Sequence, residues 1–264
     1  MKLNNCVHEA RAAALVAVLV LAAPVAVMAQ TPDARDGRRA SASAAEAAPK
    51  IANAAVHRAA NAHRGMKIMV SVNGRRLLLV SDRDTLMDVP VAVGMGRDFR
   101  YEGRTFRFET PTGRHRVLAK SENPIWTVPD WHYMEKAAAG KLELVRLAQG
   151  DTIVLADGSH IVVTGDQVGR VNQFGNFWPF TPGTEIVFDG KIFMPPFGTD
   201  QRRVPEALGP YKLELGDGYL IHGTHIFNED SVGQSVSHGC VRMTNSDLDR
   251  LYYMVDRGTP VFIY

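Results

Sequence analysis

Three dipeptides constrain this chain most. Asn73-Gly74, Asp157-Gly158 and Asp189-Gly190 each stand between two short runs of aliphatic and β-branched residues. Asn-Gly and Asp-Gly accept the positive φ angles that a two-residue type I′ turn demands at both central positions, so each marks a tight hairpin. The flanking runs are MKIMVSV and RRLLLV, DTIVLA and SHIVVT, and EIVF and KIFM. They predict a mainly β protein, an antiparallel sandwich or barrel-like sheet with few short helices. Further strands are expected at Met87 to Val93, Arg114 to Ala119, Tyr211 to Leu215, Tyr219 to Ile221 and Pro260 to Tyr264.

Two stretches read as helix. Trp131 to Leu147 is helix-permissive, and Gly140 breaks or bends it. In Thr244 to Asp256, Thr244 with Asp247 makes a capping-box-like start, and Leu248, Leu251, Tyr252 and Val255 recur on one face. That helix begins just after Cys240. Its N-terminus carries partial positive charge, which is expected to stabilise a nearby thiolate.

The N-terminal region has a different composition. Lys2 and Arg11 precede the apolar run AAALVAVLVLAA, Pro24 breaks it, and Val27 and Ala29 fit a cleavage site. Residues 1–29 are therefore expected to be an export signal, with a retained membrane anchor as the alternative. Either places the rest of the chain in the periplasm or cell wall. Residues 30–65 are rich in Ala, Arg, Ser and Asn and read as a flexible spacer, with a short helix around Ala52 to Ala60 that has little apolar face for docking. Residues 66–264 form the folded domain. Within it, 123–196 reads as an elaborated insertion that carries all three tryptophans, Trp126, Trp131 and Trp178, as a lid, a wall-binding surface or simply sheet packing. A formal net charge of +2 gives no concentrated basic face, so no nucleic-acid partner is expected.

The chain has two cysteines, and cleavage of the expected signal would remove Cys6. An unpaired thiol in an oxidising compartment is either a buried bystander or a reactive group. Cys240 lies in IHGTHIFNEDSVGQSVSHGCVRM, which also holds His222, His225 and His238. A free thiol is largely protonated at neutral pH and needs a base or a positive field to become a nucleophile. His222 follows an apolar run that suits a strand end and can supply that base if the chain folds back. Gly223 and Gly239 permit close approach of backbone to substrate, and the amides of Gly239 and Cys240 have the makings of an oxyanion hole.

The segment SHGCVRM, with His-Gly upstream and a capped helix and terminal strand downstream, resembles the L,D-transpeptidase catalytic domain (YkuD-like). Thr110-Pro111-Thr112-Gly113 ahead of a strand matches a second feature of that family. The resemblance covers roughly Met66 to Tyr264. It implies Cys240 as nucleophile and His222 as general base, with the Gly223 carbonyl orienting the imidazole. It implies that His238 and the amides of Gly239 and Cys240 stabilise the oxyanion, that Ser237 shapes the pocket, and that Arg242 holds a substrate carboxylate or braces the loop. The implied partners are peptidoglycan stem peptides, an outer-membrane lipoprotein as one class of acceptor, and carbapenems as covalent inhibitors. The implied reaction moves the acyl group of a stem tetrapeptide through a cysteine thioester to an amine, or to water in a carboxypeptidase variant. Such a cycle needs no cofactor and no metal.

Three rivals stand beside this reading. His222, His225, His238 and Cys240 are also zinc-type ligands. A different cysteine peptidase or a sortase-like transpeptidase shares the residue types, although papain-like enzymes place Cys before His and sortases space the pair more widely. A non-catalytic wall-binding protein with a buried thiol is the third.

Overall fold

The computed structural model describes residues 52–264. The export segment, Cys6 and the first part of the spacer lie outside the described residues. The fold is mainly β. One five-stranded sheet runs in the order Asp84–Pro90, Arg76–Ser81, Met66–Ser71, Pro260–Ile263, Gly113–Arg116. A four-stranded sheet runs Val241–Arg242, Tyr219–His222, Tyr211–Gly216, Ala119–Glu122. Both contribute to one core, Ile68, Val70, Leu77, Leu79 and Val261 from the first meeting Leu213, Leu215, Ile221 and Val241 from the second. The helix Asn245–Met254 adds Leu248, Leu251 and Tyr252, and its N-cap Thr244 accepts from the Asp247 N–H.

Most pairings are antiparallel, but four are parallel: Met66–Ser71 with Pro260–Ile263, Tyr219–His222 with Val241–Arg242, Glu143–Arg146 with Lys191–Met194, and Ser235–Ser237 with Val93–Gly94. Parallel neighbours need a crossover between them, which hairpin signals do not report. The hairpins themselves differ from one another. Asp189-Gly190 is a two-residue turn with both φ angles positive, at 51° and 72°. Glu102-Gly103 and Asp217-Gly218 have the same positive-φ pair. At Asn73-Gly74, by contrast, Ser71 pairs with Arg76, and the positive φ falls on Arg75. The Ser71 hydroxyl accepts the Gly74 N–H there at 3.1 Å and stabilises the wider loop. At Asp157-Gly158 only the glycine is positive, and the Asp157 carboxylate accepts from both the N–H and the hydroxyl of Ser159.

Residues 52–62 are helical, and this helix docks. Val56, Ala59 and Ala60 cover Met69, Val80 and Phe262 on the outer face of the five-stranded sheet. The spacer therefore ends earlier than its composition implied, because small alanines let the helix lie close to a sheet face that is itself apolar. Buried Lys67 ties the pair together, its Nζ donating to the His63 carbonyl at 3.0 Å and the Asp82 carbonyl at 3.1 Å.

The insertion builds two further sheets, Glu143–Arg146, Lys191–Met194, Ile186–Phe188 and Thr152–Val154, His160–Thr164, Gln167–Val171, Phe177–Pro179. They share a separate small cluster that includes Ile161, Val163, Val168 and Phe193. The helix Asp130–Gly140 ends where Gly140 stands, with Lys141 in the left-handed conformation. It packs Tyr133 and Ala137 against Ile192 and Met194. Among the described residues no helix is long and apolar enough to cross a membrane.

Candidate active site

The Asp217-Gly218 turn launches the strand Tyr219–His222, and His222 is its last residue. Val241–Arg242 runs parallel beside it, with Val241 opposite Ile221 and Arg242 opposite His222. Cys240 immediately precedes that strand. The register thus places the thiol and the imidazole on neighbouring strands of one sheet.

His222 is 5% exposed, and its Nδ1 lies 2.6 Å from the Gly223 carbonyl oxygen. A carbonyl can only accept, so Nδ1 carries the proton and Nε2 keeps its lone pair. Burial and then the nearby Arg242 guanidinium push the imidazole pKa down to about 4, against the opposing pull of the Gly223 hydrogen bond. The ring is consequently a neutral proton acceptor at neutral pH.

Asn245 fixes the backbone just beyond this histidine. Its Oδ1 accepts the Thr224 N–H at 3.0 Å and its Nδ2 donates to the Thr224 carbonyl at 2.9 Å. A Cβ at Gly223 would collide with that same Oδ1, which explains the glycine after the histidine. Asn245 is invisible in a reading by motif, since Thr244 already satisfies the helix cap and nothing local points to a partner twenty-one residues upstream.

Cys240 is a free thiol with intermediate accessibility. It accepts a hydrogen bond from the Leu220 backbone N–H, and its Sγ lies 3.9 Å from the Gly218 carbonyl oxygen. Burial pushes the thiol pKa up, opposed by the Leu220 hydrogen bond and the Arg242 charge. The strand Val241–Arg242 lies between Cys240 and the helix N-cap at Thr244. Among the described residues His222 and Cys240 are not hydrogen-bonded to each other. Arg242 stands near both. Its Nη1 donates to the Ser231 hydroxyl at 2.9 Å, and its backbone exchanges hydrogen bonds with Ala92 at 2.8 and 2.9 Å.

The remaining motif residues turn inward. Ser237 is buried, its hydroxyl donating to the Cys240 carbonyl at 2.6 Å and accepting the Gly239 N–H at 3.1 Å. That hydroxyl braces the loop with one donated and one accepted bond, and the Gly239 amide is engaged within the turn. Gly239 has φ +130°, and a Cβ there would meet the Tyr219 ring at 2.8 Å. His238 directs its Nε2 to Glu135 Oε2 at 2.7 Å. Its ring stacks on Trp131 at 4.1 Å and meets Phe108 edge-on at 4.5 Å. His238 thus turns Nε2 toward the carboxylate of the helix Asp130–Gly140. The upstream Thr-Pro-Thr-Gly segment joins in. Thr110 Oγ1 accepts the Gly94 N–H at 2.8 Å, while the Met95 N–H donates to the Ser237 carbonyl at 2.9 Å.

The zinc reading requires convergence of its four ligands. Instead, His222 faces Gly223, His225 Nδ1 accepts from the Phe227 N–H and His238 faces Glu135. Among the described residues no three His, Cys, Asp or Glu side chains gather in a metal-holding group.

The L,D-transpeptidase catalytic domain family (YkuD) matches residues 65–263, and the chain belongs to that enzyme family. Putative L,D-transpeptidase YkuD of Bacillus subtilis is 44% identical over 64 residues, 24% of this chain and 38% of the relative. Probable L,D-transpeptidase ErfK/SrfK of Salmonella typhimurium is 36% identical over 95 residues, 34% of this chain and 28% of the relative. The matched stretches thus span well under half of these relatives. Solved L,D-transpeptidases from Xylanimonas cellulosilytica and, as L,D-transpeptidase 3, from Mycobacterium tuberculosis overlay with TM-scores of 0.41 and 0.39. They are 16% and 14% identical, covering 77% and 76% of this chain and 62% and 61% of theirs.

Proposed function

We propose that this protein is an exported peptidoglycan L,D-transpeptidase that works through a Cys240 thioester. The observation that carries the reading is the buried, neutral His222, its Nδ1 tied to the Gly223 carbonyl and its Nε2 left as a base one strand away from the only thiol among the described residues. Export rests on the apolar pattern of residues 1–29.

In the first half-reaction the Cys240 S–H proton passes to His222 Nε2 as sulfur bonds to the carbonyl carbon of the third residue of a stem tetrapeptide. The carbonyl oxygen takes up the charge, and the Cys240 amide, which no hydrogen bond among the described residues uses, is the motif N–H left to receive it. Collapse breaks the C–N bond to the terminal D-alanine, and the imidazolium returns its proton to that leaving amine. In the second half-reaction an acceptor amine loses a proton to His222 as it attacks the thioester carbonyl, the C–S bond breaks as the new amide forms, and the imidazolium returns the proton to the Cys240 sulfur. Burial keeps the resting thiol protonated, so thiol and base act as a neutral pair that closes when substrate binds. Arg242, charged and half-buried beside both, is placed to hold a stem carboxylate.

The test is mass analysis of the protein after incubation with a carbapenem and, separately, with tetrapeptide muropeptides. A covalent adduct on Cys240 that disappears in Cys240→Ala supports the thioester route, and an undiminished adduct on that variant overturns it. Crosslinked dimers report an amine from a second stem as acceptor, tripeptides report water, and a peptide-linked lysine reports a lipoprotein.

A further inference from the structure

The helix Asp130–Gly140, at the start of the insertion, sends two side chains into the catalytic loop. Glu135 Oε2 lies 2.7 Å from His238 Nε2, and Trp131 stacks on the same ring at 4.1 Å with an interplanar angle of 22°. Phe108 closes the other side edge-on. The carboxylate is held in turn, since Arg97 Nη2 reaches Glu135 Oε1 at 3.2 Å from the neighbouring hairpin. Three parts of the chain that are remote in sequence therefore meet on His238, two residues before the nucleophile.

A carboxylate only accepts, so His238 Nε2 carries its proton toward Glu135 and away from the thiol. The next residue, Gly239, has no Cβ and sits at φ +130°, with its N–H accepted by the Ser237 hydroxyl. Ser237 is one anchor of this turn and the His238 ring is a second, so an untethered histidine would loosen the Cys240 amide and thiol. We propose that Glu135 and Trp131 are positioning residues, which hold the His238 ring so that the Gly239–Cys240 backbone keeps the geometry acylation needs. This inference rests on the thioester reading above and deepens it: the insertion helix, rather than the loop alone, sets how fast Cys240 is acylated.

The test uses the full chain and compares Glu135→Ala, Glu135→Gln and Trp131→Ala with the parent. Three quantities are followed: the rate of carbapenem acylation, the melting temperature, and hydrogen exchange of the Gly239 and Cys240 amides. Glu135→Ala is expected to slow acylation roughly ten- to a hundredfold, the scale of a small misplacement of reacting groups, and to speed loop exchange while the melting temperature stays put. Glu135→Gln, whose amide oxygen still accepts from Nε2, is expected to restore most of both losses. Trp131→Ala should follow Glu135→Ala. Parent-like acylation and exchange in Glu135→Ala overturn the inference, as does a Gln variant that falls as far as the Ala variant together with its melting temperature. If the parent itself forms no adduct, the thioester reading fails, and the exchange measurement still decides whether Glu135 anchors the loop.

Discussion

The two sheets that meet around Ile68, Leu79, Leu213 and Val241 carry His222 and Arg242, with Cys240 at the start of the strand beside them. The sheets between Glu143 and Met194 carry none of these and pack around a smaller cluster of Leu147, Leu155, Ile161, Val163, Val168, Ile186 and Phe193. The difference separates two jobs. A reacting pair needs strands locked by a core on both sides of the register, because a small slip there costs rate steeply. The insertion needs only enough core to hold one helix against the loop, and its exposed aromatics, Phe174 and Trp178, contribute nothing to that hold.

The comparison can be broken hardest at the base. His222→Ala should lower the acylation rate at neutral pH by about 10²- to 10⁴-fold and regain much of it at alkaline pH, where the thiol ionises unaided; equal loss at every pH would make His222 structural. Next in size is the joint between the two regions. Buried Arg202 donates to the Pro195 carbonyl at 2.7 Å and the Val128 carbonyl at 2.9 Å, and pairs with Asp130 at 2.8 Å, clamping both ends of the insertion. Removing it strands those acceptors, so Arg202→Ala is expected to destabilise the protein by about 3–5 kcal/mol in denaturant unfolding and to slow acylation by releasing the helix that bears Glu135. Unchanged acylation in that variant would show that the site stands without the insertion.

A smaller effect comes from acid. The folded-state pKa of His222, about 4, lies below its ordinary value of 6.5. Between those values the unfolded chain binds a proton that the folded chain refuses, so the stability is complete above pH 6.5 and falls as pH drops toward 4. The full loss is about 3 kcal/mol. Urea unfolding at pH 7 and pH 4.5 measures it, and His222→Gln should flatten that part of the slope. Smallest of all is Trp178→Ala in the insertion, where an exposed ring should cost less than about 0.5 kcal/mol and leave acylation alone. A large loss of activity there would give the insertion a second route to the site.

Legibility followed distance along the chain. Cys240 and His222 could be read because their glycines and the Ser-His-Gly-Cys run are contiguous with them. The type I′ turn at Asp189-Gly190 could be read because φ is a local demand, whereas Asn73-Gly74 formed a wider loop once the Ser71 hydroxyl offered a competing hydrogen bond. The docking of residues 52–62 was missed because an alanine-rich helix looks unable to bury much, and the apolar surface it needed, Met69, Val80 and Phe262, comes from three different strands. The contribution of the insertion to the site was missed for the same reason: Trp131 and Glu135 meet His238 across more than a hundred residues.

By itself, then, the sequence determined the β class, Cys240 in its Ser-His-Gly-Cys run, the upstream histidine and the helix that follows, since each depends on dihedral preference, spacing or residue chemistry within a short window. Only the tertiary structure decided the parallel pairing that sets Val241–Arg242 beside Tyr219–His222, the burial that makes His222 neutral and keeps Cys240 protonated, and the meeting of Glu135, Trp131 and His238. Pairing, desolvation and ring stacking depend on which distant groups arrive together, and that is settled by packing rather than by any neighbouring residue.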